Sequence, residues 1–225
     1  PEPVAHCAFC HWKSRCEKKW ERTDHLSLVA NIMRAQREKL VTGGLSTVKA
    51  LGQAPAEPTF GVRADIFERL SSQARLQTAR RESGDARVEL LTVTAGRGFT
   101  RLPASDPGDL FFDIEGDPLF DGGLEYLFGL VSLENGQPCF EAFWAHDRVE
   151  EKAAFEAFID FVMTRWKKYP DMHIYHFSPY EPGAIKRLTG RHGTREIEVD
   201  KLLRGERFVD LFAAAREGLI ASVEH

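Results

Sequence analysis

Apolar residues at helical spacings dominate the first part of this chain, and strand-like apolar runs dominate the second. Leu28, Val29, Ile32, Met33, Gln36 and Leu40 share one helical face, with Arg34, Arg37 and Lys39 on the polar side. Thr42, Gly43 and Gly44 break that helix, and Leu45–Val48 begins another with Ser46 or Thr47 as N-cap. Ala54–Pro58 predicts a hinge, Phe60–Arg81 a further helix pair, and Val88–Thr94 a strand. Beyond a Pro103–Gly108 linker, Leu110, Phe111 and Phe112 form an unbroken apolar run, as expected of a strand buried on both faces. Leu124–Leu133 and Pro138–Trp144 predict a hairpin around the Asn135-Gly136 turn signal, with Cys139 packing inside it. Arg148–Lys168 reads as an amphipathic helix carrying Phe155, Phe158, Ile159, Val162 and Trp166 on one side. A strand at Met172–Phe177, a helix over 184–190 and a short strand or strand-to-helix turn at Phe208–Leu211 complete the pattern. Three antiparallel strands followed by helix, strand, helix and strand give a mixed α/β fold, preceded by a small all-helical module. The predicted boundaries are 1–25, 26–102 and 103–225.

The first apolar run ends in acid. Strand side chains alternate, so Asp113 and Glu115 share one face while Phe112 and Ile114 share the other. Two adjacent carboxylates at a strand end repel each other unless a cation lies between them, and hard oxygen donors suit Mg²⁺ or Mn²⁺. A solvated strand end before a turn is the plainer alternative.

Composition narrows the class. No apolar run approaches the ~20 residues that span a bilayer, and no signal-peptide pattern opens the chain. The four cysteines, in a chain without secretory features, predict a reducing, cytoplasmic setting and metal binding rather than disulfides. Lys and Arg number 12 against 7 acidic residues over 26–101, and 13 against 23 over 102–225. A basic stretch beside an acidic one fits phosphate-backbone binding next to a metal-loading site.

Cys7, Cys10 and Cys16 lie at C-x₂-C-x₅-C spacing, flanked by Lys13, Arg15, Lys18 and Lys19, which favour thiolate. Two readings stay open: an iron–sulfur cluster with a fourth cysteine upstream, or zinc completed by His6 or His11. The turn at Gly43 and Gly44 resembles a helix-hairpin-helix, whose backbone amides hold a nucleic-acid phosphate. Arg34, Arg37, Lys39, Arg75, Arg80 and Arg81 supply the surrounding charge, or else form an ordinary solvated face.

Phe111-Phe-Asp-Ile-Glu-Gly-Asp117, the hairpin, Tyr175-His-Phe-Ser-Pro-Tyr-Glu-Pro182 and Phe208-Val-Asp-Leu211 together resemble a DEDD-type 3′–5′ exonuclease domain of the ribonuclease-H fold. With the cysteine motif, the chain is similar to the RecB-like nuclease family, in which a cysteine-bearing nuclease end precedes helical hairpins and a ribonuclease-H-like domain. The resemblance implies two-metal phosphodiester hydrolysis with Asp113 and Glu115 as first-motif ligands. It puts Glu181 where many such enzymes carry Asp, a methylene longer, and misplacement by ~1 Å already costs ~10²-fold in rate. The final Asp ligand and a Tyr or His base would lie beyond position 225. Glu181 is alternatively a helix N-terminal carboxylate, and Asp210 an N-cap rather than a ligand. His176 and Tyr180 are substrate-contact candidates, as is His192 in the basic Gly190–Arg195 loop. The expected function is a metal-dependent nuclease acting on nucleic acid, DNA favoured, with a helicase as the implied companion and no membrane association. The alternative is a catalytically incomplete binding or adaptor module.

Overall fold

The computed structural model describes residues 2–55 and 61–223. The chain forms α1 (Lys13–Arg22), α2 (Arg34–Thr42), α3 (Val48–Gly52), α4 (Ala64–Ser83) and β1 (Val88–Leu90). There follow β2 (Leu110–Asp117), β3 (Leu124–Glu134), β4 (Gln137–Trp144), α5 (Arg148–Lys168) and β5 (Ile174–His176). The last elements are α6 (Tyr180–His192), α7 (Glu196–Arg204), β6 (Phe208–Asp210), α8 (Leu211–Gly218) and β7 (Leu219–Ala221). No helix among the described residues is long and apolar enough to cross a membrane.

Two compact units result, one taking in the chain up to Thr92 and from Leu219 onward, the other spanning Val93–Gly218. The division therefore falls ten residues before the Pro103–Gly108 linker, and the chain's end returns to the first unit because β7 pairs antiparallel with β1. Leu26, Val29, Leu40, Val48, Leu51, Phe67 and Leu70 make the core of this unit. Thr47 caps α3 by accepting from the Ala50 amide at 3.1 Å. Gly52 lets α3 approach α4, since a Cβ there would stand 2.9 Å from the Arg75 nitrogen. The expected helix pair at Phe60–Arg81 is instead a single 20-residue helix, α4. Phe60 and the hinge residues Ala56–Pro58 lie outside the described residues. Of the expected 88–94 strand, Val88–Leu90 forms β1, which pairs with β7.

In the second unit the strand order is β4-β3-β2-β5-β6. β2 runs antiparallel to β3 and parallel to β5, and β5 is parallel to β6. This is the strand order that the resemblance to a ribonuclease-H-like domain implies. The hairpin turns at Asn135 and Gly136, whose φ values of 52° and 78° suit a type I′ turn. β2 alternates instead of being buried on both faces. Leu110, Phe112 and Ile114 are buried, while Phe111 is 45% exposed. The buried set packs on α5, with the Phe112 and Phe158 rings 4.6 Å apart. Ala184, Ile185 and Leu188 of α6, with Val199 and Leu202 of α7, extend that core. Cys139 is exposed rather than packed, because β4 is an edge strand. At the start of β2, a Cβ on Gly108 would meet the Tyr169 Cβ at 2.3 Å, so only glycine lets the strand pass α5.

Fully buried Glu151 holds the first turn of α5 to the hairpin. It accepts from the Glu125 amide at 2.7 Å, Arg148 at 2.6 Å and His192 Nε2 at 2.8 Å. Burial alone raises its carboxyl pKa, but these donors together hold it below the usual carboxylate range. Glu151→Ala is expected to cost about 3 kcal/mol in urea unfolding, the low end for a broken buried pair because Arg148 keeps solvent contact. A depressed carboxyl stabilises the fold above its unfolded pKa. The gap between wild type and variant should therefore close as pH falls below the ordinary carboxylate value of 4.5.

Candidate active site

Parallel pairing brings the C-terminal ends of β2, β5 and β6 together, the edge of an α/β sheet where ligands bind. Asp113 and Glu115 sit there on the face of β2 opposite α5, both exposed. A bulge between Glu115 and Gly116 then turns the strand's end. A Cβ on Gly116 would stand 2.5 Å from Glu125 Oε2 and 3.0 Å from the Tyr180 hydroxyl, so glycine is what lets this turn nest against α6.

Glu181, in the first turn of α6, is only 3% exposed. His176 Nδ1 lies 3.4 Å from its Oε2 but only 2.6 Å from the Ser178 carbonyl oxygen. A carbonyl only accepts, so the Nδ1 proton goes to Ser178 and Glu181 Oε2 is left without a hydrogen-bond partner. Burial pushes the Glu181 carboxyl above its usual range, and the negative charge of Asp113 adds to this. Its own amide and His176 pull the other way without cancelling the rise. Ser178 is held at φ +107°, a strained conformation for a residue with a Cβ. Its amide donates to Asp210 Oδ1 at 3.2 Å.

Asp210 pairs in register with His176, one residue out of phase with Asp113. Its Oδ1 also accepts from the Ala213 amide at 3.1 Å, which is the capping role at the start of α8. Among the described residues, no three His, Cys, Asp or Glu side chains are arranged to hold one ion. Asp113 lies within electrostatic reach of Glu181, while Asp210 is joined to the same turn through Ser178. Cys7 and Cys10 lie in and just after a short 3-10 turn at Ala5–Phe9, with Cys16 in α1. All three thiols are free and half-buried, and they form no group of three or more ligands among the described residues.

Several expected phosphate contacts are turned inward. Arg37 is 4% exposed and ion-paired with Glu2 at 2.6 Å. His176 is buried, and the His192 side chain is 6% exposed against Glu151. These three are therefore not presented to a nucleic acid. Arg34 pairs with Glu38, Arg75 with Glu89 and Arg81 with Asp24, while Arg80 donates to the Ser222 carbonyl and Lys39 to that of Gly61. Gly44, at φ +92°, forms the turn after Gly43. Tyr180 keeps an exposed ring while its hydroxyl donates to Glu125 at 3.0 Å, and the Arg187 guanidinium sits over that ring. Burial first, then Glu125, raises the Tyr180 phenol pKa, so it stays a donor.

Sequence reasoning passed over Glu125, Arg187 and Ser178. A charge inside the apolar Leu124–Leu133 run was the available signal for Glu125, which is 4% exposed and bound to Arg187. Nothing in residue type announces the positive φ of Ser178.

Comparison with known proteins agrees with this architecture. No curated protein and no solved structure matches the chain. The family profile described as the RNase_H superfamily matches residues 110–224, from the start of the acidic strand through β6, α8 and β7. With that match covering just over half of its sequence, the chain belongs to the RNase_H superfamily.

Proposed function

We propose that this chain carries a metal-dependent nuclease site that hydrolyses phosphodiester bonds, in DNA rather than RNA and with 3′–5′ exonuclease polarity. One observation carries the reading: the buried, unpartnered Oε2 of Glu181 beside Asp113. A buried carboxylate left without a donor costs roughly 1–3 kcal/mol or more, and a divalent cation held by it and Asp113 would offset both that cost and their repulsion. Nuclease domains of this fold generally use divalent metals.

The donor set suits Mg²⁺ or Mn²⁺. Mg²⁺ keeps several waters and is commonly held by one or two carboxylates plus substrate phosphate oxygens. A pair rather than an enclosing cage is the arrangement this habit requires. Asp113 and Glu181 would hold the ion, Glu115 would help place a second, and Asp210 would keep the Ser178 turn in position. When bound, such ions supply Lewis-acid stabilisation of the phosphoryl oxygens and lower the pKa of the attacking water. The chain's own part is to present fixed carboxylates at the sheet edge and to leave Glu181 Oε2 without a protein donor. The Tyr180 hydroxyl, kept protonated, holds Glu125 and so keeps α6 against the β2 turn. A helicase, implied by the resemblance, would deliver single strands to this edge.

Incubation of the full chain with end-labelled single-stranded DNA and Mn²⁺ tests the reading. Asp113→Asn should lower the cleavage rate by ~10²-fold or more, since a lost ligand displaces the reacting atoms at least as much as ~1 Å of misplacement. Metal-dependent binding of DNA with no cleavage in the wild type would leave the incomplete binding module as the answer. A second expectation concerns the metal-free protein. A raised carboxyl binds protons more readily folded than unfolded, so stability falls as pH rises from 4.5 through the folded pKa. Glu181→Gln should therefore raise the melting temperature at neutral pH without divalent ions. The gain should vanish below pH 4.5 and reverse when Mn²⁺ is added.

A further inference from the structure

Where the strand bearing Asp113 and Glu115 ends, an open groove of about 420 Å³ begins, floored by Gly116, Asp117 and Pro118. Phe120, Tyr126 and Trp144 form its walls, with His146 at the rim. The Tyr126 and Trp144 rings stack at 6.3 Å between centroids and 22° between planes. Trp144 is 55% exposed, a large aromatic surface that the fold does not use.

Register ties this wall to the carboxylates. Glu115 pairs with Leu127, and Leu127 with Trp144, so Glu115 and Trp144 occupy one row across three strands. Two strand spacings put their backbones roughly 10 Å apart, about the reach from a phosphate at the acidic strand end to the base of a neighbouring nucleotide. Phe111 and Phe140 stand on the same face, 45% and 64% exposed.

We infer that the Trp144 groove is a base-stacking subsite for an unpaired nucleotide of a single-stranded nucleic acid whose phosphate lies at Asp113 and Glu115. The inference rests on the nuclease reading and adds the form of the substrate. Three observations favour this occupant over another protein surface. The groove is continuous with the carboxylate edge. Its walls are flat aromatic faces, which accept any base. The guanidinium that lies over the Phe120 wall, Arg148, is already committed to Glu151. With no Lys or Arg among the described residues that line it, stacking carries the affinity, so a duplex with its bases enclosed gains little. Binding then depends only weakly on salt.

The test is fluorescence anisotropy of the full chain with labelled ten-nucleotide DNA and RNA single strands in Ca²⁺, alongside Mn²⁺ cleavage of the same DNA. Trp144→Ala should weaken single-strand binding by about 5- to 150-fold, the range for one lost base–aromatic stack. It should raise KM by a similar factor, leaving kcat within about twofold. Trp144→Phe should recover most of the affinity. A strand with one abasic nucleotide at the stacking position should bind wild type weakly and lose nothing further with Trp144→Ala. Unchanged affinity in Trp144→Ala, tighter binding of duplex than of single strand, or no binding of either strand type overturns the subsite. So does a concentration-dependent dimer lost in Trp144→Ala, which would make the groove a self-interface. The two readings separate cleanly. Trp144-dependent binding without Mn²⁺ cleavage sinks the nuclease alone, and Asp113-dependent cleavage indifferent to Trp144 sinks the stacking subsite alone.

Discussion

The packing of β2 on α5 is the constraint from which the site follows. Leu110, Phe112 and Ile114 are buried against Phe155, Phe158 and Ile159, and three such side chains remove apolar surface worth several kcal/mol. A one-residue slip would expose all three and bury Asp113 and Glu115, so the register is strongly fixed. The carboxylates are therefore held on the open face by the same interaction that forms the core. Parallel pairing with β5 then sets the chain's return through Ser178 and into α6, which carries Glu181 to the same edge.

Two buried glutamates in this unit show how differently the fold treats a charge. Glu151 is fully buried, yet it is met by an amide, Arg148, Arg191 and His192, and its proton affinity falls. Glu181 is as deeply placed, but the one imidazole near it gives its proton to a backbone carbonyl, and its proton affinity rises. The first arrangement completes itself and fastens the hairpin to α5. The second is incomplete in protein terms, which is the condition expected of a group whose partner is a ligand. The positive φ of Ser178, held between His176 and Asp210, is a strained link at the same place.

Much of this was legible in the sequence because it depends on short-range periodicity. The alternation around Asp113, the Asn135-Gly136 turn, the amphipathic Arg148–Lys168 helix and the strand–helix order each reflect local geometry, and together they specify the sheet order and the matched family. Local signals misled where two readings share a pattern. The apolar Leu110–Phe112 run suits a two-sided strand as well as a one-sided one, and only the exposure of Phe111 in the folded chain decides. Arg75, Arg80 and Arg81 suggested the end of a helix pair, yet they belong to a continuous helix whose neighbours, Glu89, Ser222 and Asp24, come from distant parts of the chain.

What the sequence determined alone was therefore the central strands, the hairpin, the Arg148–Lys168 helix and the face that Asp113 and Glu115 share, since a period of two or 3.6 is written in adjacent residues. Only the tertiary structure decided that Arg37, His176 and His192 turn inward, that Glu181 lacks a donor, and that Trp144 stands in the row of Glu115. Each of these depends on groups far apart in the chain, and burial and ion pairing follow from distance in space rather than from residue type.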